Sequence, residues 1–260
     1  MKSASLLSLM NEKYKSNSSE KNYALILCGN VLADGVRIRQ PGQKIDINAE
    51  ISIEEKKFVS RGGLKLEHAI GFWNIGIKGK GFLDAGSSTG GFTDCLLQHG
   101  ALFVHSVDVG YNQIDYNLRN NKNVILHEKT NIMHIESLDP VPDIGVADLS
   151  FRSINRAASK ILSLVSERRL IALVKPQFET GSENLKKGIV QSKTVLEETL
   201  LKVIDSLFDE NAFVLDIIKS PVSGRKGNNE FLFYITGDSP VNTAGLKNDL
   251  KIMLKTLVYG

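Results

Sequence analysis

GFLDAGSSTGGFTDCLL, residues 81–97, is the stretch on which the fold turns. A short apolar run ends at Asp84, passes through a glycine-rich turn and continues into an amphipathic helical stretch, which is the opening of a βα unit. Glycines permit positive φ and let backbone approach a ligand closely, as a cofactor lying across strand carboxyl ends requires. The spacing is G-x-x-x-G-G. It matches neither the dinucleotide fingerprint G-x-G-x-x-G nor the phosphate loop G-x-x-x-x-G-K-[ST].

Downstream, apolar runs alternate with helical stretches, which predicts an α/β fold with a doubly wound, Rossmann-like parallel sheet. Strands are expected at 81–86, 102–108, 123–128, 143–149, 169–175, 212–220 and 230–236, the last two as an antiparallel pair, with helices at 90–99, 113–119, 153–165, 192–209 and 243–257. Upstream, helical stretches at 3–14 and 19–28 and strand-like pieces at 31–38 and 50–53 predict a small α+β module. Ser18 or Ser19 is the expected N-cap of its second helix and Gly29 the stop. The division expected is a module over 1–57, a linker over 58–64 around Ser60-Arg61-Gly62-Gly63, and a main domain over 65–260.

Composition bounds the class. The chain has 260 residues, 42% hydrophobic and 23% charged, which excludes disordered, collagenous and coiled-coil chains. Its two cysteines, Cys28 and Cys95, are too few for a disulfide scaffold and lack C-x-x-C spacing, so a cytoplasmic protein with reduced thiols is expected. No apolar run approaches the roughly 18 to 20 residues of a membrane span, and MKSASLLSLMNEKYK is a poor secretory signal. Residues 1–65 carry 11 Lys/Arg against 7 Asp/Glu, a balance of +4, whereas the remainder carries 21 against 22. A basic module beside a near-neutral domain suggests a nucleic-acid grip, and a chance surplus on a solvated surface is as good a reading on charge alone.

The expected cofactor site comprises Asp84, Gly86, Ser87, Ser88, Thr89, Gly90, Gly91 and Phe92 of the turn, with Asp108. Asp108 ends the second strand, where a carboxylate takes both hydroxyls of a ribose. Acidic residues at both places favour S-adenosyl-L-methionine, which carries a sulfonium and an amino group, over a pyrophosphate that carboxylates repel.

A second group gathers at strand ends. Asp148 ends the fourth strand and Lys175 the fifth, where Pro176 stops it, and Glu230 opens the last. Lys65 joins them only through tertiary folding. Two lysines with two carboxylates suit methyl transfer to a hydroxyl, whose oxygen loses a proton as it attacks. Free lysine, with a pKa near ~10.4, is a poor base at neutral pH, so a base role for Lys175 needs tuning by its partners. H-E-x-x-H is absent, no metal is expected, and DLSF replaces the N-P-P-F/Y signature of exocyclic-amine methylation, which argues for oxygen chemistry.

The ordered series SRGGLKL, DAGSSTGGFTD, VDVGYNQ, Thr130-Asn131, VADLSF, VKPQFE, KKGIV and GNNEF resembles the TlyA family of ribosomal RNA 2′-O-methyltransferases, some of which carry the name haemolysin. The resemblance covers nearly the whole chain. It implies an FtsJ-like methyltransferase domain behind an S4-like RNA-binding domain, a tetrad on Lys65, Asp148, Lys175 and Glu230, and Asn131 at the cofactor. The implied substrate is cytidine ribose in 23S and sometimes 16S rRNA within ribosomal subunits, with no membrane partner and a monomeric chain.

The S4-like match is partial. Gly29 to Gly35 fits the family pattern, but Lys2-Ser3-Ala4-Ser5 and Ser19-Glu20-Lys21 stand where arginines are usual. Weak RNA binding with a shallow salt slope is therefore expected. Lys21, Arg37, Arg39, Lys44 and Arg61 are the candidate backbone contacts. Phe151 is the candidate to stack on a splayed-out base, and Phe178 fits packing better. The competing functions are a membrane-lytic haemolysin and a non-catalytic RNA-binding assembly factor.

Overall fold

The computed structural model describes residues 2–27, 29–54, 57–150, 153–224 and 227–260, so Cys28 and Phe151 lie outside the described residues. The chain divides into two compact units, 1–57 and 58–260.

In the first unit the expected helix over 3–14 is shorter. Ser3–Ser5 is a strand (β1), and the helix proper is Leu6–Lys13 (α1). The reason is local: the Ser5 side chain accepts the Ser8 N–H at 3.2 Å and caps the helix there. The strand pairs antiparallel with Lys44–Asp46 (β4), an element the sequence reading lacked. A second helix, Ser19–Leu27 (α2), ends in paired bonds from Gly29 N to Ile26 O and from Asn30 N to Leu25 O, both 2.9 Å, with Gly29 at φ +69°. That is the left-handed stop for which glycine is suited. Val31–Ala33 (β2), Val36–Ile38 (β3) and Ile51–Ile53 (β5) form a sheet in the order β3-β2-β5. Leu6, Met10, Ile26 and Val31 are fully buried between the helices and this sheet.

The second unit is built on a seven-stranded sheet. Its strands are Gly81–Ala85 (β6), Phe103–Val107 (β7), Val124–His127 (β8), Ile144–Ala147 (β9), Arg169–Val174 (β10), Phe213–Lys219 (β13) and Phe231–Thr236 (β14). The order is β13-β14-β10-β9-β6-β7-β8, in which β6 to β10 are parallel and β14 runs antiparallel to both neighbours. The strand order therefore reverses between β6 and β9, the place where open α/β sheets leave a crevice at their carboxyl ends.

Successive residues bury on opposite faces. Phe82, Val146, Ile171 and Leu232 pack with Gly62–Trp73 (α3) and Gly91–Gln98 (α4) on one face. Leu83, Ala147, Ala172 and Phe233 pack on the other with Ala157–Leu164 (α6), Lys193–Asp209 (α7) and Thr243–Tyr259 (α8). Both faces are covered, so the strands read as continuous apolar runs.

The linker expected over 58–64 is packed structure. Phe58 is 3% exposed, Val59 N donates to Asp94 Oδ2 at 2.8 Å, and α3 begins at Gly62. Leu66, Ala69, Ile70 and Trp73 have helical spacing and dock on the sheet, where Trp73 Nε1 donates to Asp216 Oδ2 at 2.8 Å. The short helix expected over 113–119 is only Tyr116–Arg119 (α5), because Asp115 accepts Asn117 N and caps it. A small hairpin, Leu185–Lys186 (β11) with Ile189–Val190 (β12), arises from KKGIV.

Candidate active site

The β6 to α4 turn is tight because β6 and β9 run side by side into it. Asp148 N donates to Ala85 O at 3.0 Å, and a Cβ on Gly86, at φ +86°, would stand 2.8 Å from Asp148 O. Only glycine leaves that space open. Beside it Asp108 is held rigidly: Oδ2 accepts Ser88 N at 2.8 Å and Oδ1 accepts Gly110 N at 2.6 Å. Each oxygen keeps a second lone-pair direction for a ligand hydroxyl. Asn131 Oδ1 is occupied by Met133 N at 3.1 Å, so its side chain caps the next turn at the cleft wall.

These groups line one side of a cleft of about 910 Å³, and the strand-end group lines the other. Lys175, at the end of β10, reaches back over β9. Its Nζ lies 2.6 Å from Asp148 Oδ1, an ion pair outside hydrogen-bond angles, and it donates to Leu149 O at 3.1 Å and Ser150 Oγ at 2.9 Å. Lys65, on the first turn of α3, is ion-paired with Glu230 at the entry to β14, and both side chains are less than a tenth exposed. Charges this buried persist only when paired, and removing one partner costs about 3–5 kcal/mol. Lys65, Asp148, Lys175 and Glu230 thus share one cleft as two ion pairs. The Phe178 ring sits 5.8 Å from Lys175 Nζ.

Two expected cofactor contacts stand elsewhere. Asp84 and Gly90 are buried and do not face the cleft. Asp84 lies under the turn, where Oδ2 accepts Thr93 N at 3.0 Å and Thr93 Oγ1 at 2.7 Å. Burial above all, with Asp148 and Asp108 adding, pushes its carboxyl up to about 7 against the lowering effect of Thr93. Gly86, Ser87, Ser88, Thr89, Gly91, Phe92, Asp108 and Asn131 do line the cleft.

Of the proposed RNA contacts, Lys21, Arg39 and Lys44 are exposed on the first unit. Arg37 is already engaged, with Glu54 Oε2 at 2.6 Å and with Gly29 O. Arg61 belongs to the second unit and lines the cleft. Sequence reasoning missed Ser150, Gln177 and Asn228 on the cleft wall. The signal for Ser150 was its place two residues past a strand-end aspartate. Asn228 Nδ2 donates to Gly188 O at 2.9 Å, which ties the β11–β12 hairpin to the segment leading into Glu230. Among the described residues no cluster of His, Cys, Asp and Glu suits a metal ion, and no helix is long and apolar enough to cross a membrane.

A switched, mostly parallel sheet with a glycine turn and a ribose-ready carboxylate at its carboxyl edge defines a nucleotide-cofactor enzyme of the Rossmann-like class. Residues 58–236 match the FtsJ-like methyltransferase family. The chain is 32% identical over 240 residues to the 16S/23S rRNA (cytidine-2′-O)-methyltransferase TlyA of Mycobacterium tuberculosis, covering 89% of this chain and 90% of that one. It is 38% identical over 225 residues to Hemolysin A of Brachyspira hyodysenteriae, covering 83% and 92%. A solved structure described as "Putative hemolysin from Streptococcus thermophilus" superposes with a TM-score of 0.72 at 32% identity, covering 100% of this chain and 98% of that one. The chain belongs to the FtsJ-like methyltransferases, within the TlyA family.

Proposed function

We propose that the protein transfers a methyl group from S-adenosyl-L-methionine to the 2′-hydroxyl of a cytidine ribose in ribosomal RNA, in 23S and also in 16S as for the mycobacterial relative. The observation that carries this reading is the meeting of Lys175–Asp148 and Lys65–Glu230 in the cleft that holds the glycine turn and Asp108. The cleft suits the cofactor: Gly86, Ser87, Ser88 and Thr89 of the turn line it, and Asp108 is aimed by two backbone amides. When bound, S-adenosyl-L-methionine supplies a methyl group on a positively charged sulfur.

Asp108 holds the ribose hydroxyls of the cofactor, and Asn131 and the Ser87–Thr89 backbone bound its pocket. Lys175, having given up one proton to solvent, would accept the proton of the 2′-hydroxyl as that oxygen takes the methyl group the cofactor would supply. Asp148 then faces the ammonium so formed, and Lys65 with Glu230 fixes the opposite wall. Residues 1–57 act as a weak S4-like RNA grip, Phe151 and Arg61 contact the target nucleotide, and the work is done in the cytoplasm by a monomer.

The test is transfer of tritiated methyl from the cofactor to ribosomal subunits from cells lacking this protein. Wild-type protein is expected to label them and Lys175→Ala to fall at least about 1,000-fold, within the range general-base and positioning effects supply together. Equal labelling of RNA with a 2′-deoxy target nucleotide would overturn the reading.

A further inference from the structure

The segment that leaves β9 keeps the bond from Asp148 N to Ala85 O and carries Asp148, Leu149 and Ser150, three of the groups around Lys175 Nζ. Its farther part is gripped by a second side chain from the same turn as Lys175. Glu179 Oε1 accepts Ile154 N at 3.0 Å. The turn between the two grips is stiff: Pro176–Phe178 is one 3₁₀ turn, closed by Phe178 N to Lys175 O at 2.8 Å and Glu179 N to Pro176 O at 3.1 Å.

The two grips are chemically complementary. Lys175 takes the acceptors of the loop at 148–150, and Glu179 takes a backbone donor at 154. Beyond them Arg156 stands at φ +61°, a left-handed conformation that a non-glycine residue holds only when its surroundings impose it. Its N–H is held by Glu210 Oε2 at 2.6 Å. The loop is thus set in place by side chains from outside itself. A carboxylate used this way orders the segment without touching a substrate.

We propose that Glu179 is a positioning residue for the methyl-transfer site: by holding Ile154 N it fixes the far end of the segment whose near end, Leu149 and Ser150, fixes Lys175. This rests on the reading of Lys175 as the base. Releasing the clamp is expected to lower the catalytic rate while leaving the glycine turn and Asp108, on other strands, unchanged.

The experiment measures methylation of ribosomal subunits by the full chain as wild type, Glu179→Ala, Glu179→Gln, Ser150→Ala, the Glu179→Ala/Ser150→Ala double variant and Lys175→Ala, with cofactor Kd by calorimetry. Glu179→Ala is expected to lose about 10- to 100-fold in kcat, with KM for subunits and cofactor Kd within about 3-fold, the size of effect misplacement causes. Glu179→Gln keeps an acceptor for Ile154 N and is expected to recover to within about 5-fold of wild type. The double variant is expected to lose no more than the larger single loss, because both act through Lys175. Unchanged kcat in Glu179→Ala, no recovery in Glu179→Gln, a fall in cofactor affinity matching the fall in rate, or multiplying losses would each overturn the proposal. If Lys175→Ala stays active, it is the base assignment that fails. If Lys175→Ala is dead and Glu179→Ala fully active, the base stands and the clamp fails.

Discussion

Asp84 offers a measurement in which the sign and the size of an effect both come from the structure. It is fully buried in β6, its Oδ2 takes two bonds from Thr93, and its Oδ1 has no hydrogen-bond partner among the described residues. Burial chiefly raises its pKa from 3.8 to about 7. Between these two values the unfolded chain has released the proton and the folded chain has not. Stability therefore falls as pH rises through that window, by about 1.4 kcal/mol per pH unit and about 4 kcal/mol in all, and is flat in this respect above it. Asp84→Asn mimics the neutral form, keeping an acceptor for Thr93 and a polar atom in place of Oδ1.

The variant is expected to be more stable than wild type by about 2 kcal/mol near pH 5 and about 4 kcal/mol near pH 8, with the gain complete soon after pH 7. Urea unfolding followed by the fluorescence of Trp73, the single tryptophan, reads the gap. Comparing the two proteins matters because other groups titrate in the same range. His105 and His127 have their pKa values lowered, mainly by burial. They remain neutral in the folded state, so they cost stability as pH falls through the ordinary histidine range. That contribution is common to both proteins and cancels. A gap that stays constant from pH 5 to pH 8 would show that Asp84 ionises as an exposed aspartate does, and would refute the reasoning.

Three further outcomes follow from the same geometry. Asp108→Ala removes the carboxylate that Ser88 N and Gly110 N orient; calorimetry should show cofactor binding weakened about 100-fold, the worth of two hydrogen bonds to a charged group. His105 Nε2 meets Pro140 O at 2.8 Å and so must donate, which leaves Nδ1 to accept from His127 Nε2 at 2.9 Å. In His127→Gln the loss of stability between about pH 6.5 and pH 5 should shrink relative to wild type, as seen in urea midpoints. Arg37 is engaged by Glu54 whereas Arg39 is exposed; in titrations of an rRNA fragment Arg39→Ala should lower the salt slope by about 1 and Arg37→Ala should leave it nearly unchanged.

The sheet and its crevice were legible because both faces of β6, β9 and β10 are buried, which writes apolar runs directly into the sequence, and because a turn squeezed between strands demands glycine. Asp148 and Lys175 were legible for the same reason: a strand end fixes where a side chain emerges. What escaped is what tertiary packing decides. Residues 58–64 carry Ser60, Arg61 and two glycines, the composition of a linker, yet Phe58 is buried and α3 starts inside them. The partnership of Lys65 with Glu230, 165 positions away, has no local pattern. Asp84 misled because an acid opening a glycine turn looks the same in sequence whether it points at the ligand or beneath it. In the structure it points beneath. Likewise Arg37 reads as a free cation until Glu54 is folded beside it.

The pairing of the charges also bears on how the reaction proposed for the cleft would run. Two lysines and two carboxylates are neutral together, so the resting group neither attracts nor repels a phosphodiester or a sulfonium strongly. With one proton gone from Lys175 the group carries a net negative charge, which favours a cationic cofactor alongside it. When Lys175 takes the 2′-hydroxyl proton, the group returns to neutrality at the moment the cofactor loses its own charge. Lys175 Nζ would gain one positive charge as the cofactor gave one up, so no net charge has to be created in the cleft. Asp148, 2.6 Å from that nitrogen, is already placed to receive it. Lys65 and Glu230, buried and matched, need not change protonation at all. This division gives each pair a distinct signature: losing Asp148 should depress the rate more than the stability, because the Lys175 ammonium keeps Leu149 O and Ser150 Oγ as acceptors, whereas losing Glu230 should depress both, because it takes from the buried Lys65 ammonium the carboxylate it is paired with.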